Sequence, residues 1–208
     1  VGVFELNWYI VGLVFVLSVG IINAYNFMDG INGMTGAYTL TVLIALGYVN
    51  SMVVEFVEPR YIYFMLMAVV VFNYYNFRKK ARCFAGDVGS VTIAFFIVFL
   101  LVKLIVLTGD LRYVLFVGVY GVDAVLTILH RILLKENIFK AHRKHAYQLM
   151  ANELKIPHLI VSLFYALLQS LIIVLTLIDP AVGFVAIMMV GIAYIVFKCK
   201  YYKLHCKL

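Results

Sequence analysis

Long apolar runs, separated by shorter polar stretches, dominate this sequence. Each is close to the roughly 20 residues that an α-helix needs to cross the hydrocarbon core of a bilayer. The pattern predicts an all-α, polytopic membrane helix bundle with about seven transmembrane helices, and residues 1–208 as one transmembrane domain. The predicted spans are 8–27, 35–54, 59–77, 90–108, 112–133, 157–178 and 180–198.

The composition agrees with this reading and excludes an ordinary soluble domain. The chain is 65% hydrophobic and 13% charged, and its mean hydropathy is +1.05. Soluble domains carry about 25% charged residues. Pro59, Pro157 and Pro180 each open a predicted span, where the missing backbone N–H breaks no helical hydrogen bond.

The distribution of basic residues predicts the orientation. The net charge is +7 with 17 Lys and Arg residues, and all but Arg60, Lys103 and Arg112 lie within 78–82, 131–155 and 198–207. These segments fall on one side of the predicted membrane. The positive-inside rule makes that side cytoplasmic, so the positive charge indicates orientation and anionic headgroups, not nucleic acid. We expect a multi-pass protein of the inner (cytoplasmic) membrane.

A first polar cluster lies where the first span ends. Asn23, Asn26 and Asp29 are spaced three residues apart, and Gly30 and Gly33 follow. This spacing predicts that the three polar side chains share one face of a helix end, and the glycines would let backbone approach a ligand. An ordinary polar helix terminus with a glycine stop is the alternative.

A second cluster, Phe84-Ala-Gly-Asp87-Val-Gly-Ser90, opens the fourth span. Asp87 occupies the expected N-cap, and capping alone would explain a carboxylate there. The other interpretation is a Mg²⁺ ligand shared with a diphosphate, with the Phe84 ring stacking on a base.

The third cluster runs from His142 to Gln148 in the loop after the fifth span. Its two histidines, His142 and His145, would be half of a zinc site, but no matching third ligand is nearby. Cationic and hydrogen-bonding groups in one loop suit phosphate better. A solvated basic loop against anionic lipid is the alternative.

Two charged residues lie well inside predicted spans. Asp123 in the fifth span is expected to face the bundle interior and to pair with a cation or a hydrogen-bond donor, because a lone charge in lipid is costly. Lys103 in the fourth span is the candidate partner. Arg131 lies two helical turns after Asp123.

These clusters, in this order, resemble the polyprenyl-phosphate N-acetylhexosamine-1-phosphate transferase superfamily. Asn23 to Gly30 matches the family's Asn-x-x-Asn-x-x-Asp-Gly signature, and Phe84 to Ser90 matches Phe-x-Gly-Asp-x-Gly-Ser. Asp123, Arg131 and the loop Arg143-Lys-His145 are similar to its Asp, Arg and histidine-loop elements. Asn76 resembles an asparagine just before the Phe-x-Gly-Asp motif, with a spacing one residue longer.

The resemblance implies an enzyme that transfers N-acetylhexosamine-1-phosphate from a UDP-sugar to undecaprenyl phosphate. The products would be UMP and an undecaprenyl-diphosphate-sugar that initiates surface polysaccharide, O-antigen or cell-wall assembly. The implied cofactor is Mg²⁺, with Mn²⁺ as an alternative; the oligomeric state is left open, a homodimer included. The implied catalytic residues are Asp29, Asp87 and His145, with Asp29 and Asp87 also holding the metal. The implied substrate-binding residues are Asn23, Asn26, Gly30, Asn76, Phe84, Arg131, His142, Arg143 and Tyr147.

The sequence departs from the family pattern in two ways. Tyr147 and Gln148 stand where family members carry further histidines. The chain also lacks an adjacent acidic pair, which family members carry in an earlier loop, and it has one span before the first cluster instead of several. We therefore expect an N-terminally truncated piece of a longer transferase, with little or no activity alone.

The sequence is also consistent with three other functional interpretations. The first is a phospho-MurNAc-pentapeptide transferase of peptidoglycan synthesis. The second is a transporter with Asp123 and Lys103 lining a pathway. The third is an inactive membrane remnant.

Overall fold

In the computed structural model, which describes residues 8–138, 140 and 142–205, every regular element is helical. This confirms the predicted all-α class; the end of the basic tail, 206–208, lies outside the described residues. The elements are α1 (Trp8–Met28), α2 (Met34–Met52), α3 (Pro59–Asn76), α4 (Gly86–Thr108), a 3₁₀ helix (Leu111–Val117) that continues into α5 (Gly118–Leu133), α6 (Ala146–Gln148), a π-helical turn (Leu149–Glu153), α7 (His158–Ile178) and α8 (Pro180–His205).

Among the described residues, helices form over all seven predicted spans, and five of these helices are long and apolar enough to cross a membrane. These five are α1, α4, the combined 3₁₀ helix and α5, α7 and α8. The described chain is therefore a polytopic helical membrane protein. α2 and α3 fall outside this set because they carry more polar side chains, including Asn50 and Asn73. The count of seven stays a prediction.

The core is built around α2, which packs against α7 on one side and α3 on the other. α1 packs on α4 and α5, and α8 packs on α7 and α5. Tyr38 of α2 and Tyr120 of α5 stack face to face in this core with ring centroids 3.5 Å apart, and Tyr25 of α1 meets Tyr120 edge-on. Aromatic packing thus joins the three helices that carry or support the polar clusters.

The fifth span contains a break in regular helix, and a side chain from α7 repairs it. The 3₁₀ helix gives way to α5 at Val117 and Gly118. Gln169 of α7 donates to Leu115 O at 2.9 Å, and its Oε1 accepts from Val119 N at 3.0 Å. Backbone groups that a break frees inside the membrane need such partners, so Gln169 allows an irregular helix at this depth.

The chain alternates direction so that the three polar clusters meet on one side of the bundle, called here the inner side. It carries the ends of α1, α5 and α8 and the starts of α4 and α7. α4 starts at Gly86, four residues before the predicted span, because the apolar pattern begins only after the polar first turn of the helix. The first two clusters are therefore parts of adjoining helix ends.

Candidate active site

The end of α1 and the first turn of α4 are bonded into one unit. Asn26 Nδ2 donates to Asp87 Oδ1 at 3.0 Å and to Ser90 Oγ at 3.1 Å. Asp29 Oδ2 accepts from the backbone N–H of Gly86 at 3.0 Å, and its Oδ1 accepts from Thr35 Oγ1 at 2.6 Å. The first two sequence clusters thus form a single polar site between α1 and α4.

The structure contradicts the prediction that Asp87 is the N-cap of α4. Ala85 holds the N-cap position and its side chain makes no capping hydrogen bond; the first N–H of the helix, that of Gly86, bonds Asp29 instead. Asp87 instead lies in the first turn, exposed, with Asn26 as its hydrogen-bond donor. The carboxylate benefits from the helix dipole there, but capping does not account for it.

The two carboxylates of this site lie close enough to affect each other. Burial raises the pKa of Asp29, and the negative charge of Asp87 adds to the rise; the hydrogen bonds from Thr35 and Gly86 oppose it. Two carboxylates that repel each other favour a cation between them. Mg²⁺ typically takes one or two carboxylates, several waters and substrate phosphates, so Asp29 and Asp87 fit the cation that the sequence indicated.

Asn23 does not join Asn26 and Asp29, although the three were expected on one face. Three residues of an α-helix turn through about 300°, which is about 60° less than a full turn. Residues six apart, such as Asn23 and Asp29, therefore point about 120° away from each other. Asn23 is exposed and its amide donates to Val19 O at 2.9 Å. It lies in the wall of a groove between α1 and α5.

Asn76 holds two loops together from below the site. Its Oδ1 accepts from Gly33 N at 2.7 Å, and its Nδ2 donates to Cys83 O at 2.8 Å. The Asn76 side chain is buried. Gly33 has a positive φ of +82° and packs directly on the ring of Phe77. In this structure Asn76 contacts backbone on both sides, so it fixes where the loops carrying Asp29 and Phe84 lie.

Phe84 lies on the open side of the same site. Its side chain is 70% exposed, three residues before Asp87. An exposed ring beside a polar helix mouth is available for stacking on a planar group. The structure thus leaves the predicted base-stacking position open to a ligand.

The histidine loop is organised around a buried carboxylate, Asp123 of α5. Its Oδ1 lies 3.0 Å from His145 Nδ1 and accepts from Ala146 N at 3.2 Å, while Oδ2 accepts from Tyr165 Oη at 2.6 Å. The expected hydrogen-bonded interior position of Asp123 is confirmed. The expected partner was wrong: Lys103 is exposed on α4 beside the Phe99 ring, because it points away from the bundle.

His145, a predicted catalytic residue, lies inside the protein and not at its surface. It is 2% exposed, and its ring packs near the rings of Phe27, His142 and Tyr147. Its Nδ1 is occupied by Asp123, which orients the ring as a carboxylate orients a ligating histidine.

Arg131 also points into the protein. Its guanidinium donates to the carbonyls of Asn137, Ile138 and Lys140 at 2.5, 3.0 and 3.1 Å. It also bonds Glu136 at 3.2 Å, and Glu136 pairs with Lys144. Arg131 therefore shapes the loop that leads to the histidines, whereas Arg143 lies exposed on that loop.

Tyr147 connects the histidine loop to the end of α1. Its hydroxyl donates to Phe27 O at 2.7 Å, and a Cβ on Gly30 would lie 2.2 Å from that hydroxyl. Gly30 is thus required for close approach of Tyr147. Burial raises the pKa of Tyr147, and the charge of Asp123 adds to it.

A groove of about 640 Å³ runs between α1 and α5 and ends at the polar groups of the inner side. Its walls are mainly apolar, including Val16, Val114 and Ile128, and its polar groups include Asn23, Arg131 and His142. Burial, and after it the charges of His145, Arg131, Lys198 and Lys144, together lower the pKa of His142 to about 4. His142 is therefore neutral near pH 7.

Sequence reasoning missed several residues of this site. Thr35 donates a hydrogen bond to Asp29, and Tyr165 donates one to Asp123. Lys198 of α8 donates to Thr127, which lies beside Asp123. Hydroxyls in apolar helices carry no distinctive pattern, and Lys198 looked like one more basic residue at a cytoplasmic span end. Only the high cost of burying a lysine could have singled it out.

The fold and site define a polytopic helical membrane protein with a polar, carboxylate-containing site at one face of its bundle. The family described as glycosyl transferase family 4 matches residues 1–105, half of the chain. The chain belongs to this family.

Curated relatives agree with the family assignment. The chain is 30% identical over 158 residues to a probable undecaprenyl-phosphate N-acetylglucosaminyl 1-phosphate transferase of Bacillus subtilis (71% of this chain, 42% of the relative). It is 23% identical over 156 residues to an undecaprenyl-phosphate α-N-acetylglucosaminyl 1-phosphate transferase of Thermotoga maritima (74% and 48%). It is 34% identical over 97 residues to a phospho-N-acetylmuramoyl-pentapeptide-transferase of Streptococcus equi subsp. zooepidemicus (45% and 29%). The chain thus spans less than half the length of each of these relatives.

Proposed function

We propose that this chain forms the core of an enzyme that transfers N-acetylhexosamine-1-phosphate from a UDP-sugar to undecaprenyl phosphate. The product would initiate assembly of a cell-surface polysaccharide or the cell wall. One observation carries the proposal: two carboxylates that affect each other lie between the ends of α1 and α4 on the inner side, and a mainly apolar groove between α1 and α5 reaches polar groups on that same side. A sugar nucleotide and a lipid phosphate need such a junction between water and membrane.

The donor side is the unit of Asn26, Asp29 and Asp87. The two carboxylates would hold Mg²⁺, and Asn26 fixes Asp87 toward it. The cation would neutralise charge on the diphosphate of the donor. Phe84, exposed beside Asp87, would stack on the uracil ring.

The acceptor side is the α1–α5 groove. Its apolar walls suit a polyprenyl chain, and His142 and Arg131 place hydrogen-bonding capacity and positive charge at its polar end. The exposed Arg143 adds a second cation for phosphate. The lipid phosphate is itself the nucleophile, so the protein needs to position and neutralise but not to attack.

His145 would act through its position behind His142. The rings of the two histidines are 5.0 Å apart, and Asp123 holds His145 from the interior. His145 would thereby support the imidazole that lines the groove.

A second candidate donor is favoured by one observation. The streptococcal relative, at 34% identity over 97 residues, is named for phospho-N-acetylmuramoyl-pentapeptide transfer. A UDP-MurNAc-pentapeptide donor would use the same carboxylates and groove, so the two candidates differ in the sugar and in the peptide attached to it.

The test is product analysis with the protein in its whole natural sequence, undecaprenyl phosphate and Mg²⁺. A panel of UDP-N-acetylhexosamines and UDP-MurNAc-pentapeptide is assayed for UMP and lipid-linked sugar. We expect product with at least one UDP-N-acetylhexosamine, and product with UDP-MurNAc-pentapeptide alone would select the second candidate. No lipid-linked product from any donor contradicts the proposal.

A further inference from the structure

Lys198, near the inner end of α8, is a buried cation that the proposed chemistry does not use. It is 5% exposed and directly follows the long apolar part of that helix. A buried ammonium is costly unless it is hydrogen-bonded and close to a negative charge. Such a residue in a membrane span is therefore a candidate for a role in the site.

A short hydrogen-bond path leads from Lys198 to the histidine loop. Lys198 Nζ donates to Thr127 Oγ1 at 3.1 Å and lies 4.9 Å from the centroid of the Tyr194 ring. Thr127 Oγ1 and Tyr194 Oη are 2.5 Å apart, and each lies 3.2 Å from Asp123 Oδ1. The same carboxylate oxygen holds His145 Nδ1 at 3.0 Å.

Lys198 also acts on the groove through its charge. Its ammonium is one of the charges that help to lower the pKa of His142, after burial and the larger effects of His145 and Arg131. Those charges come from each side of His142: Arg131 from α5, His145 and Lys144 from the loop, and Lys198 from α8. Lys144 is paired with Glu136, whereas the partner of Lys198 in this path is a neutral hydroxyl.

We propose that Lys198 is a positioning residue for the histidine loop and part of the site that receives the acceptor's phosphate. Through Thr127, Tyr194 and Asp123 it holds His145 in place, and its charge favours a phosphate monoester at the polar end of the α1–α5 groove. The inference rests on the proposed function for the identity of that phosphate. It assigns a role to α8, which lies beyond the residues 1–105 that the family model matches.

Four variants separate charge, hydrogen bonding and packing. Lys198→Met removes the charge and the hydrogen bond, Lys198→Arg keeps both, and Thr127→Val keeps the charge but breaks the path. Lys103→Met is the matched control, because it removes an exposed lysine from another apolar helix without touching the network.

The first measurement is turnover by the whole natural protein at varied undecaprenyl phosphate. Removing a residue that orients a metal-ligating histidine typically lowers activity about 10- to 100-fold, and Asp123 orients His145 by the same kind of hydrogen bond. We expect such a loss in kcat/KM for Lys198→Met, a smaller loss for Thr127→Val, and near wild-type values for Lys198→Arg and Lys103→Met. Equal losses for Lys198→Met and Lys198→Arg would mean that packing alone matters, and would overturn the proposal.

The second measurement does not depend on activity. NMR titration of the His142 ring, assigned with His142→Gln, follows its pKa in the detergent-solubilised protein. Loss of the Lys198 charge should move the midpoint upward from about 4, whereas Thr127→Val and Lys103→Met should leave it in place. An unmoved midpoint in Lys198→Met overturns the proposal even if the wild-type protein shows no transferase activity. If Lys198→Met does not fold, reduced kcat/KM in Thr127→Val is the expected result, and unchanged kcat/KM overturns the proposal.

Discussion

The carboxylate unit between α1 and α4 and the histidine loop beside α5 are both polar and both on the inner side, yet they use their polar groups differently. Asp87 is exposed, with Asn26 as its side-chain donor. Asp123, by contrast, is buried and accepts from the His145 ring, the Ala146 N–H and three hydroxyls. The first half of the site is therefore arranged to meet a ligand, and the second half is arranged to hold a loop. Family motifs contribute residues to both halves, so a motif match by itself does not say which side chains touch substrate.

Asp87→Asn should produce the largest change, and in activity alone. Asp87 is a metal ligand in the proposed mechanism, and loss of such a ligand removes several kcal/mol of charge stabilisation, so we expect turnover to fall about 10³-fold or more. The exposed position predicts an unchanged melting temperature. UMP release and thermal unfolding of the whole natural protein measure the two effects.

Glu55→Gln is the matched control, because Glu55 is an exposed carboxylate in the α2–α3 turn on the opposite side of the bundle. It should leave both turnover and melting unchanged. Wild-type turnover in Asp87→Asn would reject Asp87 as a metal ligand.

Asp123→Asn should give the opposite pattern, with stability lost first. The four groups that donate to Asp123 Oδ1 would then face a neutral amide oxygen in place of a carboxylate. Breaking a buried charged pair costs about 3 kcal/mol or more of folding free energy. Equilibrium unfolding in mixed micelles measures the loss. Tyr165→Phe, which removes one donor at 2.6 Å, should cost less, about 1 kcal/mol. A fully stable Asp123→Asn protein would contradict the view that this half is a scaffold.

The same contrast explains what the sequence could and could not predict. Seven apolar runs, their order and the inward-facing Asp123 follow from periodicity and from the cost of charge in lipid. The direction of each polar side chain does not, because Asn23 and Asn26 differ by three residues and yet face different neighbours. The pairing of Asp123 with Lys103 failed for the same reason: sequence gives the depth of a charge in the membrane but not the face of its helix. The roles of Asn76 and Arg131 as braces depend on loop carbonyls, which no residue pattern records.

Gly30→Ala tests the contact between the end of α1 and the histidine loop. The new Cβ would lie 2.2 Å from the Tyr147 hydroxyl, so the loop and the end of α1 must separate. Overpacking of this kind costs about 1–3 kcal/mol, and turnover should fall with it. Adding Tyr147→Phe removes the hydroxyl and should recover part of the stability. No recovery in the double variant would show that Tyr147 is not what restricts Gly30.

Phe84→Ala should have a smaller effect, which is limited to binding of the UDP-sugar donor. Base stacking on an aromatic ring contributes about 1–3 kcal/mol, so we expect KM for the UDP-sugar to rise about tenfold with little change for undecaprenyl phosphate. Phe84→Trp should preserve binding, because it keeps a stacking surface. Equal affinity of Phe84→Ala for UDP-sugar, measured by calorimetry, would remove Phe84 from the donor site.

Glu136→Gln should give the smallest change, and one that depends on pH. The hydrogen bond from Lys144 lowers the pKa of Glu136, and Arg131 adds to this. A depressed carboxyl pKa stabilises the folded state above the unfolded value of about 4.3, and this contribution is lost as pH falls through the folded value. Glu136 is solvent-exposed in part and its ion pairs are screened, so the wild-type protein should melt only slightly higher than Glu136→Gln at pH 7. The difference should shrink as the pH falls below the unfolded value and through the folded pKa of Glu136. The control is Glu153→Gln, which changes an exposed carboxylate on the same side of the bundle and should give no pH-dependent difference in melting temperature. A pH-independent difference for Glu136→Gln would mean that the ion pairs of Glu136 do not stabilise the loop.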